Sequence, residues 1–389
     1  MNASRGIPLY EARIAIVHEW LGPYSGSEDV VAGMLRSFTE ADLFATVRDP
    51  DEMRGTPLEN VPVRTSFVQS LPGARKRYRA YLPIMPLAIE QFDLREYDLV
   101  ISSSHAVAKG VLTRADQLHV GYVHTPMRYA WDLYLDYLEE SELSRGAKGI
   151  GARLALHYLR LWDHVASDRV DAFVANSRYV ARRIRKVYRR PARVVYPPVD
   201  VDRFRADLPR EDFYVAVSRM VPYKRMPTIA EAFTRMKKPL VVIGGGPELE
   251  KVRRTAGKNV KVLGHQPDDV VADHLQRARA FVFAAEEDFG IAPVEAQAAG
   301  CPVIAFGKGG ARETVVPHPE PGGTGLFFGE ASPEGIIAAV QRFEELDGAF
   351  HAADCRRNAE RFGQERFSGE IRATVNELWT AFGRGEPLE

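Results

Sequence analysis

The chain has 389 residues, 45% of them hydrophobic and 27% charged, which is ordinary for a globular protein and leaves room for two or three domains. Lys plus Arg and Asp plus Glu both total 52, so the formal net charge is zero and no global field points to a nucleic-acid partner. The two cysteines, Cys301 and Cys355, read as reduced structural residues of a cytosolic protein. No signal-peptide pattern opens the chain, and no apolar run approaches the roughly 20 residues that span a bilayer, so a cytoplasmic protein, peripheral at most, is expected.

In chain order, Arg13 to Val17 reads as an apolar strand, followed by the loop His18 to Ser27, rich in Gly and Ser, and a helix through Leu35. Further strands are expected over Asp42–Thr46, Leu99–Ser102, His119–Val123, Ala172–Asn176 and Arg193–Tyr196, with helices between them. The segment Leu71 to Ile89 mixes Arg75, Lys76, Arg77 and Arg79 with aromatic and aliphatic residues. It reads either as a partly solvated helix ending at Pro83 or as a surface that lies on an anionic membrane. Around Pro197 to Leu208 the periodicity lapses, as in an interdomain linker.

A second series of strands follows over Tyr214–Ser218, Leu240–Gly244, Val260–Leu263, Ala280–Ala284, Pro302–Ala305 and Gly325–Phe328. Two successive doubly wound α/β halves are therefore expected, residues 1–198 and 199–367. A last helix, about Ser368 to Phe382, carries Ile371, Val375, Leu378 and Trp379 on one face, so it should pack, and it can return to the first half.

The most informative stretch is Glu287 to Glu295, two carboxylates with seven residues between them. A helix is expected over Ala292–Ala299, with Pro293 and Glu295 in its first turn. The free N–H groups near Gly290 and Ile291 would then face an anion such as a diphosphate. Glu295 can accept from two vicinal hydroxyls, as a ribose presents, while Glu287 reaches another part of the ligand. Taken alone, the two acids can equally be a helix N-terminal acid and a solvated loop charge.

Arg219 ends the first strand of the second half and Lys224 follows in the next loop, so the two can converge on one diphosphate or stand as solvated surface cations. The loop Gly22 to Ser27 is neither a P-loop nor a GxGxxG fingerprint and alone reads as a strand-to-helix turn. Gly244-Gly245-Gly246-Pro247 marks a turn or a close backbone approach. His105, after Ser102-Ser103-Ser104, falls at the carboxyl end of a strand, where open α/β sheets bind ligands, though a lone histidine is also ordinary hydrogen-bonded structure. The same two readings hold for His124 and His18. No Cys/His cluster has metal spacing, no G-x-S-x-G elbow occurs, and Asp200-Val201-Asp202 lies in the linker, so neither a metal nor a cofactor is expected.

With these residues in place, the chain resembles family 4 of the retaining glycosyltransferases, which have the GT-B architecture of two Rossmann-like domains around a cleft. The resemblance rests on Ser25-Gly26-Ser27-Glu28, Ser104-His105, Asn176-Ser177, Ser218-Arg219 with Lys224, Gly244 to Glu248, and Glu287 to Glu295 continuing through Gly300 to Ala305. It departs in having Asp288 where the family commonly has Pro, and in the wording of the Ser25 loop.

The resemblance implies an N-terminal acceptor-binding domain, a C-terminal nucleotide-sugar domain and a final helix crossing back to the first. It implies that Glu295 binds the donor ribose. Glu287 and the backbone of Phe289, Gly290 and Ile291 would hold the donor sugar, Arg219 and Lys224 the diphosphate, and His105 the anomeric region. Gly22, Ser25, Gly26 and Gly245 would be donor-side loops. The segment Tyr122 to Trp131 looks like that of bacterial mannosyltransferases acting on polysaccharide or polyprenyl-linked acceptors, with His124, Arg128 and Tyr129 on the acceptor side. The function so implied is metal-free transfer of a hexose, first of all mannose from GDP-mannose, with retention. The alternatives are a nucleotide-sugar 2-epimerase of the same architecture and a non-catalytic sugar-nucleotide-binding regulator.

Overall fold

The structure, a computed structural model, describes residues 7–140, 146–346 and 348–388, and divides into residues 1–198 with 365–389 and residues 199–364.

The N-terminal unit is built on seven parallel strands: β1 (Ile14–His18), β2 (Asp42–Ala45), β3 (Val63–Thr65), β4 (Leu99–Ser104), β5 (Leu118–Val123), β6 (Ala172–Ala175) and β7 (Arg193–Val194). Their order is β3-β2-β1-β4-β5-β6-β7. Every residue of β1, β4 and β5 is buried, because helices cover both faces of a parallel sheet and leave no polar side to alternate with. β3 has no counterpart in the sequence reading. It is a three-residue edge strand whose Arg64 and Thr65 are exposed, so no apolar run announces it.

Reversal of the strand order places the carboxyl ends of β1 and β4 side by side, with His18 in register with Ser103. This is the switch point at which open α/β sheets form ligand sites. The helix Gln364–Arg384 buries Phe367, Ile371, Val375, Leu378 and Trp379 in the same core as Ile16 of β1, and Trp379 Nε1 donates to the Ile7 carbonyl at 3.0 Å. It begins one turn before the expected Ser368.

The C-terminal unit has six parallel strands: β8 (Tyr214–Val217), β9 (Leu240–Ile243), β10 (Val260–Gly264), β11 (Ala280–Phe283), β12 (Val303–Phe306) and β13 (Gly325–Phe328). The order β10-β9-β8-β11-β12-β13 again reverses once, between β8 and β11.

The segment 71–89 does not end as a helix at Pro83. It runs through Ala74–Arg77 and a 3-10 stretch Tyr78–Ile84 into the helix Met85–Glu90, with Pro86 tolerated in the first turn. Tyr78, Met85, Ala88 and Ile89 are buried in the N-terminal unit's second core cluster.

Candidate functional site

In the N-terminal unit three histidines meet at the β1/β4 switch point. His18 closes β1, His105 follows β4 and His124 follows β5, with ring centroids 6.2 Å apart for His18–His105, 6.5 Å for His18–His124 and 6.2 Å for His105–His124. Ser103 Oγ ties two of them, standing 3.1 Å from His18 Nδ1 and 2.8 Å from His124 Nε2. Trp20 packs edge-on to His105 at 4.9 Å and against Tyr78 at 5.0 Å. Burial lowers the His105 pKa; His18 pushes the same way and Glu19 only partly opposes them. Burial, then His105 and His18, holds His124 well below the ordinary range. Both rings are therefore neutral near pH 7 and suited to hydrogen bonding with sugar hydroxyls.

Sequence reasoning missed the residue that organises this corner. Glu19 is fully buried, and its Oε1 accepts from Ser104 Oγ (3.0 Å), the His105 amide (2.8 Å) and the Ala106 amide (2.7 Å). Its Oε2 accepts from the amides of Val107 (2.7 Å) and Ala108 (3.0 Å). Burial raises this carboxyl, but His105 and the amides outweigh it and hold the pKa below the usual carboxylate value. Four successive free N–H groups signal an anion nest, yet their partner lies 86 positions from His105 and no local pattern links them.

The Ser25 loop behaves as a cap more than a cradle. Glu28 Oε2 accepts from the Ser25 amide (3.1 Å), Ser25 Oγ (2.7 Å) and Ser27 Oγ (2.8 Å), fastening the start of the helix Gly26–Ser37. Glu28 Oε1 lies 3.5 Å from His18 Nε2. Gly22 is buried beneath Tyr78, whose ring would stand 3.0 Å from a Cβ there. Arg128 and Tyr129 lie beyond β5, and the buried Tyr129 hydroxyl finds no hydrogen-bond partner among the described residues.

In the C-terminal unit the β8 and β11 ends flank the second switch point, and one ion pair spans it: Lys224 Nζ meets Glu287 Oε1, with both side chains mostly buried. Arg219 is exposed; its carbonyl accepts from the Val221 amide at 2.9 Å, but its side chain makes no hydrogen bond or ion pair among the described residues, so the structure joins Lys224 to Glu287 and leaves the Arg219 guanidinium outside that pair. The helix after Glu287 is Ile291–Ala298, one residue earlier than expected. Pro293 remains in its first turn, but Glu295 falls in the second, so Glu295 is not an N-terminal helix acid. It accepts instead from Arg203 at 3.1 Å, while the same guanidinium donates to Asp268 at 3.1 Å.

Gly290, at φ 87°, caps that helix in a conformation that favours glycine. The Phe289 side chain is buried against Phe362 at 5.4 Å, so only its backbone can serve a ligand. Two glycines missing from the sequence reading hold the loop from behind. A Cβ on Gly309 would lie 2.3 Å from the Glu287 carbonyl, and one on Gly310 2.3 Å from the Phe289 carbonyl; the Gly310 amide donates to Glu287 O at 2.8 Å. In the β9 loop, Gly244 and Gly246 are the constrained positions, at 1.8 Å from Ser218 O and 2.6 Å from Met220 O, whereas Gly245 meets only ordinary contact.

Residues 24–203 match the sequence family described as Glycosyltransferase Family 4, and residues 200–362 match Glycosyl transferases group 1, so the two together span most of the chain. The chain belongs to glycosyltransferase family 4.

Among curated relatives of this family-4 chain is the GDP-mannose-dependent alpha-(1-6)-phosphatidylinositol monomannoside mannosyltransferase of Mycobacterium tuberculosis, 31% identical over 205 residues, or 44% of this chain and 52% of that protein. Another is the D-inositol 3-phosphate glycosyltransferase of Mycobacterium leprae, 30% identical over 169 residues, covering 37% and 40%. The match thus spans about half the length of these relatives or less. Among solved structures, sucrose-phosphate synthase from Thermosynechococcus elongatus superposes with a TM-score of 0.70 at 17% identity, covering 95% of this chain and 100% of that one. Anabaena HepE in complex with UDP and glucose gives 0.65 at 16% identity, covering 95% and 100%. At such identities the likeness is one of fold, and the fold is GT-B.

Proposed function

We propose that this family-4 protein is a cytoplasmic retaining hexosyltransferase that moves mannose from GDP-mannose to a glycan or lipid-linked saccharide acceptor. The observation that carries this reading is the Lys224–Glu287 pair across the β8/β11 switch point, beside the Gly290-capped helix that bears Glu295. A cation, a carboxylate and free helix N–H groups at one sheet edge are what a sugar diphosphate needs. The GDP-mannose assignment is supported by the GDP-mannose-dependent mannosyltransferase of Mycobacterium tuberculosis among the relatives.

In the proposed reaction the bond between the anomeric carbon and the leaving phosphate oxygen breaks, and the acceptor oxygen bonds to the anomeric carbon on the same face. The acceptor proton passes to the departing phosphate. Lys224, with Arg219, stabilises the charge that develops on the diphosphate, and positioning supplies much of the remaining acceleration. Glu295 accepts from the ribose hydroxyls and Glu287 from the sugar. His105, neutral near pH 7, hydrogen-bonds at the reacting end, while His124, Arg128 and Tyr129 serve the acceptor.

Radiolabelled GDP-mannose incubated with the protein and a bacterial lipid extract tests this reading. Label in the lipid fraction with stoichiometric GDP, and donor unchanged without the extract, is the expected result. Epimerised donor in the absence of acceptor, or no transfer with any extract, would overturn it.

A further inference from the structure

The helix Gly146–Ser167 is apolar on two faces. Its inner face places Leu156 and Leu159 in the core cluster beneath Met85 and Ile89. Ile150, Leu154, Tyr158, Leu161 and Val165 lie four, four, three and four residues apart, so they form one stripe along the outer face, and each is 47–65% exposed. The helix cannot roll to hide them. Asp163, fully buried, is held by Lys109, by Trp131 Nε1 at 2.7 Å and by the Tyr188 hydroxyl at 3.0 Å.

The stripe is also where the molecule concentrates its exposed apolar surface. Twelve large hydrophobic side chains are exposed among the described residues, all of them in the N-terminal unit and five of them on this helix. A contiguous apolar surface of this kind calls for a covering partner.

Charge identifies the partner. No acidic residue occurs between Gly146 and Trp162, where Lys148 and Arg153 are exposed, and none occurs between Leu71 and Ile89, where Arg75, Lys76, Arg77 and Arg79 are exposed. The two segments are joined, because Glu90 Oε1 accepts from Trp162 Nε1 at 2.9 Å and from Arg169 at 2.6 Å. Segment 71–89 buries much of its own apolar surface in the core, so it contributes charge, and the helix 146–167 contributes the greasy face. A chain of zero net charge has therefore gathered two acid-free basic segments at this apolar stripe.

We propose that this face docks on the surface of an anionic phospholipid bilayer, with the helix Gly146–Ser167 lying in the interfacial plane and the basic side chains on the headgroups. No described helix is long and apolar enough to cross the bilayer, so the helix lies on it. The proposal concerns a surface apart from the donor groups and holds whichever sugar nucleotide the site takes.

Co-sedimentation of the full chain with phosphatidylcholine vesicles, with and without phosphatidylglycerol, tests it. The protein is expected to pellet with the phosphatidylglycerol vesicles, and Leu154→Glu with Leu161→Glu to lower that partition about tenfold or more. Arg75→Glu with Lys76→Glu, on the separate segment, should reduce it likewise, which keeps the test decisive if the first pair perturbs folding. Equal partition to neutral and anionic vesicles, or variants that bind as the parent does, would overturn the proposal. So would a parent that sediments as a dimer without vesicles and is split by the same leucine substitutions, since the stripe would then be an interface between copies.

Discussion

The carboxylate of Glu19 accepts the His105 amide at 2.8 Å and, with the next three amides and Ser104 Oγ, closes a nest that fixes where the His105 ring stands at the end of β4. Glu19→Gln keeps the shape but replaces one oxygen by an NH2 that cannot accept, leaving amides of the nest unpaired. A loss of about 2–5 kcal/mol in urea unfolding is expected. A loss below about 0.5 kcal/mol would show that the nest does not depend on the charge.

Lys224→Ala should lower turnover about 10²- to 10³-fold, the usual consequence of removing one group that stabilises developing charge. Circular dichroism should be unchanged, because the pair with Glu287 sits at a sheet edge outside the core. Near-normal turnover would remove Lys224 from the diphosphate role.

Gly310→Ala puts a Cβ within 2.3–2.6 Å of the Phe289 backbone, so the loop 287–290 must shift. Stability should fall by roughly 1–3 kcal/mol, with a larger proportional loss of donor affinity than in Ala311→Gly, whose site is one residue on. Unaltered donor binding by calorimetry would show that the loop does not hold the sugar.

Stability should fall as the solution is acidified below pH 6.5. Burial holds His119 down at about 4, from an ordinary value of 6.5, with its ring between Ser102 Oγ and the Arg169 carbonyl. A depressed histidine binds its proton only in the unfolded chain over that window, so unfolding takes up protons and stability drops with falling pH. The span of about 2.5 units corresponds to at most about 3 kcal/mol. In His119→Asn the unfolding free energy measured between pH 6.5 and 4 should lose about one proton of slope; an unchanged slope would refute the assignment.

Much of the architecture was legible because parallel strands buried on both faces spell themselves as short apolar runs, as at Ala280–Phe283 and Leu118–Val123. The edge strand Val63–Thr65 carried no such run. Local sequence singled out Lys224, Glu287 and Glu295, yet long-range partners carried no signal. Arg203 reaches Glu295 across 92 positions and Glu19 reaches His105 across 86, and spacing along the chain says nothing of such pairings. Gly309 and Gly310 carry no local signal of their own, since their necessity lies in the carbonyls of Glu287 and Phe289 packed against them.

The central claim, that a guanosine-diphosphate sugar is held by the group of Lys224, Glu287 and Glu295, is tested most directly by thermal unfolding with GDP-, UDP- and ADP-sugars. A ligand at about 100 times its Kd adds roughly 2.7 kcal/mol to the folded state. GDP-mannose should raise the midpoint most, and Glu295→Ala should abolish the rise while unfolding normally without ligand. No rise with any of the sugars, or a rise that Glu295→Ala leaves intact, would contradict the account.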